Sequence, residues 1–207
     1  NNQLKNNIFG PELAVVGNNV ERLSPGDYKN LIQTQNNNVG IVMGGTDPEN
    51  MTLKIITQLS SITEPTTLWV AIGPSYKFDI NLIFKALSKS KYIDLVVGNV
   101  FEDLWKFLQS CKLLILQGGL TTTEASFRGI PSINIPRFKN QSLQNLELVS
   151  KGACWEIRDG NIISLKPLVE EIVQNEKILM DASRIGQEII DGKGAKNIKR
   201  IILEKTK

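Results

Sequence analysis

Short apolar runs alternate with longer stretches of helical periodicity along most of this chain. Runs at 39–43, 68–72, 93–97, Leu113–Leu116, 132–135 and 154–157 show no polar alternation. Such runs fit strands covered on both faces. Between and after them, Phe101, Leu104, Trp105 and Leu108 share one helical face, and Leu165, Leu168, Val169, Ile172 and Val173 share another. Two further stripes comprise Ala182, Ile185 and Ile189, then Ala195, Ile198, Ile201 and Ile202. Strands alternating with helices predict a Rossmann-like, doubly wound parallel α/β sheet of about six strands with helices on both faces. Residues 1–37 lack the pattern and read as an irregular linker or N-terminal extension, which leaves 38–207 as the domain.

Two glycine turns each follow a strand and open a helix. Gly44-Gly45-Thr46-Asp47-Pro48 follows the first strand, and Gly118-Gly119-Leu120-Thr121-Thr122-Thr123-Glu124 the fourth. In the strand order 3-2-1-4-5-6 these strands lie side by side at the switch point, where such sheets bind ligands. A glycine turn at a helix start brings backbone N–H groups to an anion. Neither turn has the Gly-x-Gly-x-x-Gly dinucleotide fingerprint or the Walker motif, which disfavours NAD and P-loop ATP binding.

The turns are not equivalent. Asp47 with Pro48 reads as an N-cap and first helical residue, so the first turn spends its own N–H groups. Leu120 and Thr121 to Thr123 are expected to precede the second helix with no carboxylate, leaving N–H groups and hydroxyls for a diphosphate. Glu124, about one turn into the helix, can accept from two ribose hydroxyls. The threonines also fit as caps, and Glu124 fits equally as an acid near a helix start. Trp69, Trp105 and Trp155 read as packing residues, and Asn140-Gln141 as a loop leading into a helix over 142–150.

Composition narrows the classes. The 207 residues are 41% hydrophobic and 22% charged with a formal charge of +3, ordinary for a globular domain. The lysines read as dispersed, so neither a nucleic-acid nor a membrane-surface face is expected, and no apolar run suggests a membrane span. Cys111 and Cys154 follow no metal spacing, no cofactor is expected, and a cytoplasmic location is the expectation. The chain has no histidine and does not begin with Met. The commonest general base is therefore absent, and the start reads as a cut through a longer protein.

Taken together, Gly118 to Ala125, Gly129-Ile130-Pro131-Ser132-Ile133-Asn134-Ile135-Pro136, Asn140-Gln141 and Glu102-Asp103-Leu104 resemble the C-terminal domain of MurG-like GT-B proteins. Gly44 to Thr52, Asp191-Gly192-Lys193-Gly194-Ala195 and the opening Phe9 to Ala14 are similar to one subfamily, the PseG/SpsG-type UDP-sugar hydrolases of pseudaminic acid and surface polysaccharide biosynthesis. The resemblance implies the C-terminal half of a GT-B fold holding a UDP-sugar, with a histidine base in a preceding N-terminal domain. Glu124 would then bind ribose, and Leu120 and Thr121 would meet the diphosphate. Val100 and Phe101 would face uracil, Asn140 and Gln141 the sugar, and Gly44, Gly45 and Thr46 would line the cleft floor. No catalytic residue is expected in this chain. A MurG-like glycosyltransferase using a UDP-sugar donor and a nonenzymatic nucleotide-binding module are the alternatives.

Overall fold

A computed structural model describes residues 10–99, 103–158 and 161–205. Val100 and Phe101, expected at uracil, lie outside the described residues. A helix, α1 (Pro25–Ile32), precedes β1 (Asn37–Val42), α2 (Met51–Leu59), β2 (Thr66–Ile72), α3 (Asn81–Ala86) and β3 (Ile93–Asn99). The second half runs α4 (Leu104–Phe107), β4 (Leu113–Leu116), α5 (Leu120–Arg128), β5 (Ser132–Asn134), α6 (Lys139–Ser150) and β6 (Cys154–Glu156). Three helices close the chain: α7 (Leu165–Val173), α8 (Glu176–Ile189) and α9 (Gly194–Lys205).

The six strands form one sheet in the order β3-β2-β1-β4-β5-β6, every pair parallel. Alternate residues of each strand serve different cores. Val39, Ile41, Leu68, Val70, Leu113, Ile115 and Ile133 join α2, α3 and α7 on one face. Leu114 and Leu116 turn to the other face, where Trp105 of α4 and Ala125 of α5 cover them. Both faces are buried, which is why the runs carry no polar alternation.

The stretch before β1 is more ordered than its composition suggests. Ser24 caps α1 by accepting from the Asp27 N–H, and Pro25 takes the first helical position. Tyr28 and Ile32 enter the core. The Tyr28 hydroxyl donates to the Lys112 carbonyl at 2.7 Å. Buried Lys112 donates through Nζ to the Ile32 carbonyl at 2.7 Å, and burial lowers its pKa. This reciprocal pair locks α1 to the start of β4.

At the far end, α8 crosses the domain close to α5. A Cβ on Gly186 would sit 3.3 Å from the Ser126 backbone. Ser183 Oγ donates to the Gly129 carbonyl, and Gln187 Nε2 donates to the carbonyls of Leu23 and Arg128. Asn197 of α9 reaches back to the Glu12 carbonyl at 2.8 Å. No helix of the described residues is long and apolar enough to cross a membrane.

Removing the Tyr28 hydroxyl leaves the buried Lys112 carbonyl short of a donor without opening a cavity. Tyr28→Phe should lower unfolding free energy by about 1–2 kcal/mol, read from urea denaturation. An unchanged midpoint would show that the α1–β4 lock contributes nothing.

Candidate nucleotide site at the β1–β4 switch point

The crevice forms where β1 and β4 run side by side, Val39 opposite Leu113 through Val42 opposite Leu116. Helix α2 leaves β1 toward one face and α5 leaves β4 toward the other, so the strand ends between them stay uncovered. The Gln117 N–H donates to the Val42 carbonyl at 3.3 Å. A Cβ on Gly44 would lie 2.8 Å from Gln117 Oε1. The two glycine turns are therefore direct neighbours.

In the first turn, Gly44, Gly45 and Thr46 are exposed at the crevice. The helix starts later than Pro48, at Met51, and its N-cap residue is Asn50. Asp47 still satisfies the helix end, from farther back: its carboxylate accepts from Met51 N at 2.7 Å and Thr52 N at 2.8 Å. Asp47 and Asn50 both adopt positive φ, 37° and 51°, conformations that non-glycine residues adopt at a cost. The two N–H bonds hold Asp47 there. Asn50 is held by Tyr76, whose hydroxyl donates to Asn50 Oδ1 at 2.7 Å. With only 4% of its surface exposed, Asp47 is committed to its own helix.

Gly44 also has a positive φ, 78°; the second turn differs in how its helix end is met. Gly118 and Gly119 both have φ of 93°, a region where glycine alone is unstrained. Helix α5 begins at Leu120, so Thr121 to Thr123 lie inside its first turn and do not precede it. No side chain caps this end. Its first N–H groups and the positive end of the helix dipole face the crevice. Leu120 is 62% exposed, presenting its backbone with no side chain folded over it. Thr122 turns the other way: it is fully buried, and its hydroxyl donates to Asn134 Oδ1 at 2.6 Å. The expectation of three hydroxyls around an anion therefore reduces to Thr121 and Thr123, which are partly exposed.

Glu124 sits one turn into α5. One carboxylate oxygen, Oε1, accepts from the Gly17 N–H at 3.3 Å. Gln141 also comes to this turn. Helix α6 starts at Lys139, earlier than expected, which puts Asn140 and Gln141 in its first turn. Gln141 Oε1 accepts from the N–H groups of Arg137 and Phe138 at 2.9 and 3.0 Å. Its Cβ lies 3.4 Å from where a Gly118 Cβ would be. Gln141 is thus oriented by its carbonyl, with its amide Nε2 3.9 Å from where a Gly119 Cβ would be. Asn140 is exposed at the rim.

A cleft of about 650 Å³ opens between the first turn and α6. Met43, Asp47 and Met51 form one wall and Ile135, Phe138, Ser142 and Leu146 the other, with Gln117 between them. Arg137 bridges the walls through an Nε–Glu49 Oε1 contact of 2.9 Å and stacks over Phe138, 4.8 Å from the ring centre. The pair is exposed and contributes little to stability; its effect is to strap the cleft. Glu49 and Arg137 are 88 residues apart, and no spacing rule in the sequence joins them. Gln117 was detectable in principle, as the polar residue ending the Leu113–Leu116 run, but the glycines after it drew the reading.

Comparison with known proteins fits this geometry. No protein-family model matches the chain. The structure superposes on MurG of Acinetobacter baumannii with a TM-score of 0.74 at 15% identity, covering 89% of this chain and 54% of MurG. The fold is a Rossmann-like α/β domain of the kind found in part of MurG. Anabaena HepE, crystallised in complex with UDP and glucose, superposes with a TM-score of 0.60 at 15% identity over 97% of this chain and 55% of HepE. In sequence, the uncharacterized protein MJ1062 of Methanocaldococcus jannaschii is 27% identical over 128 residues, 61% of this chain and 26% of that protein. The spore coat polysaccharide biosynthesis protein SpsG of Bacillus subtilis is 19% identical over 171 residues, 80% of this chain and 49% of SpsG. The chain thus spans half or less of the length of these relatives.

Gly118 and Gly45 should respond differently to an added methyl. Gly118→Ala meets both positive φ and Asn145 Nδ2, 3.1 Å from the new Cβ, whereas Gly45→Ala meets no atom within 4 Å. Thermal unfolding should show Gly118→Ala destabilised by about 1–3 kcal/mol and Gly45→Ala changed by less than about 0.5 kcal/mol. Equal losses would mean that neither the positive φ nor the Asn145 contact constrains Gly118.

Proposed function

We propose that this chain is the UDP-sugar-binding domain of a GT-B-type enzyme of surface polysaccharide or nonulosonic acid biosynthesis. The observation that carries the reading is the uncapped start of α5 at the switch point, with Glu124 one turn further in. Phosphate at the helix start and ribose one turn along is the spacing of a nucleoside diphosphate. The UDP and glucose held by the similarly folded HepE, and the polysaccharide role named for SpsG, support the reading.

The chemistry follows from the turn. As the bond between sugar and diphosphate breaks, negative charge grows on the departing phosphate oxygens. The N–H groups of Leu120 and Thr121 and the α5 dipole lie where they meet that charge without reorganising. Gln141 is placed for the sugar side, and Gly44, Gly45 and Thr46 line the opposite wall with no side chain long enough to compete for the diphosphate. Asp47 keeps its negative charge, only partly offset by the Met51 and Thr52 N–H groups, which makes the first turn the poorer seat for an anion.

The chain lacks histidine, so on this proposal the group that activates the acceptor comes from a preceding domain. Within that frame we read the whole protein as a hydrolase that passes a diacetamido-trideoxy sugar to water, on the strength of the Gly44 to Thr52 and Asp191 to Ala195 motifs. The likeness to MurG favours a second reading, transfer to a saccharide or lipid-linked acceptor. The whole protein incubated with UDP-sugar and no acceptor separates them: free sugar and UDP released together support hydrolysis, whereas turnover only on adding an acceptor supports transfer.

Binding by this chain tests the shared premise. Calorimetric titration should show UDP binding more tightly than UMP, because only the diphosphate reaches the α5 N-terminus. Glu124→Ala should weaken UDP binding by about 1–3 kcal/mol, the range for losing a charged hydrogen-bond partner. Thr121→Ala should weaken it more than Asp47→Asn. No heat and no spectral change with millimolar UDP would end the nucleotide reading.

A further inference from the structure

Helix α6 turns leucines outward and an asparagine inward. Leu143 and Leu146 are 61% and 53% exposed, whereas Asn145 between them is 1% exposed. Asn145 and Leu148 are the buried residues of α6, and Leu148 packs with Cys154 and Ile190. An apolar side chain at 145 would extend that packing and bury no polar group. Asn145 instead carries a carboxamide inside, and its Nδ2 has no hydrogen-bond partner among the described residues. A buried donor left unmet is costly, and native structures hold few of them. Two other buried polar atoms share this state, Arg128 Nε and Glu156 Oε2. Both belong to groups held through another atom: an Arg128 Nη donates to the Glu21 carbonyl, and Glu156 Oε1 accepts from Arg158 Nε.

Asn145 Nδ2 faces the second glycine turn. A Cβ on Gly118 would lie 3.1 Å from it, with Gln141 Cβ at 3.4 Å and Pro136 Cβ at 3.7 Å. Because residue 118 is glycine, no side chain fills the space between the turn and the amide. Gln141 and Gln144 approach as well: Gln141 Nε2 and Gln144 Oε1 each lie 3.9 Å from where a Gly119 Cβ would be. Residues 141, 144 and 145 are three and four apart, so one flank of α6 brings three carboxamides to the glycine pair. Helix α5 begins two residues beyond Gly118 with no side-chain cap. An uncapped helix start and an unmet buried donor thus converge on one turn. Both call for an acceptor, and the oxygens of an anion supply one to each.

We propose that Asn145 is a ligand-binding residue, donating to an oxygen of the phosphate that carries the sugar. The proposal rests on the nucleotide reading above. Gln141, one turn earlier on α6, is placed for the sugar, and the N–H groups of Leu120 and Thr121 for the diphosphate. Asn145 lies against the turn between them. Its Nδ2 is closed to solvent in the free chain, so the bond forms as the ligand seats and the glycine pair, unhindered by side chains, adjusts around it. Asn145 therefore contributes to affinity and not to the stability of the free chain.

Calorimetric titration of the full chain with UDP and with UMP tests it. Asn145→Leu, of similar size and without the donor, should weaken UDP binding by about tenfold or more. UMP binding should be unchanged, because UMP lacks the second phosphate. In urea the same variant should unfold at the wild-type midpoint or above it, since no hydrogen bond of Nδ2 is lost. Asn145→Asp keeps the shape and removes the donor, and should show the same loss for UDP if Asn145→Leu does not fold. UDP binding by the wild type with affinity retained in the variants would overturn the proposal and leave the nucleotide reading standing. A lower urea midpoint with equal losses for UDP and UMP would overturn it by making Asn145 a structural support of the turn. No UDP binding by the wild type would overturn both.

Discussion

The crevice depends on the parallel pairing of β1 with β4. Because these two central strands send their helices to opposite faces, no crossover covers their carboxyl ends. Val42 opposite Leu116 sets the level at which both chains emerge, and the bond from Gln117 N to Val42 O holds the two turns together above it. The burial that fixes this register is strong: Ile41, Ile115, Leu114 and Leu116 have no exposed surface. A slip of one residue would turn each of these side chains to the opposite face. The crevice is thus positioned by the least tolerant part of the core, although the groups around it lie in loops and first helical turns.

On this frame two similar sequences become electrically different ends. In both, a helix begins at the crevice after a glycine pair. At α2 the positive end is answered internally by Asp47, with backbone strain at Asp47 and Asn50 accepted to make the carboxylate reach. At α5 nothing answers it, and Gly118 and Gly119 absorb the turn without strain. On the proposed function, an anion between them would meet one terminus already answered by a carboxylate and one that no side chain caps, and would be drawn to the second. Asp47 would contribute by making the first turn the less favourable seat.

Most of the sheet was legible because its signal is compositional. The run from Leu113 to Leu116 can hardly be other than a doubly covered strand. Helix starts were read less well, for physical reasons that differ between them. Pro48 suits a first helical position, yet Asp47 reached over three residues to cap from outside, and the helix waited until Met51. Leu120 to Thr123 looked like a loop because threonine caps well, but burying Thr122 against Asn134 favours the helix from Leu120. Helix α1 lies inside the 1–37 stretch expected to be irregular. What fixes it is Tyr28 against Lys112, 84 residues away. At the site, Glu124 and the glycines were readable from spacing, whereas Arg137 and Glu49 meet only through tertiary structure.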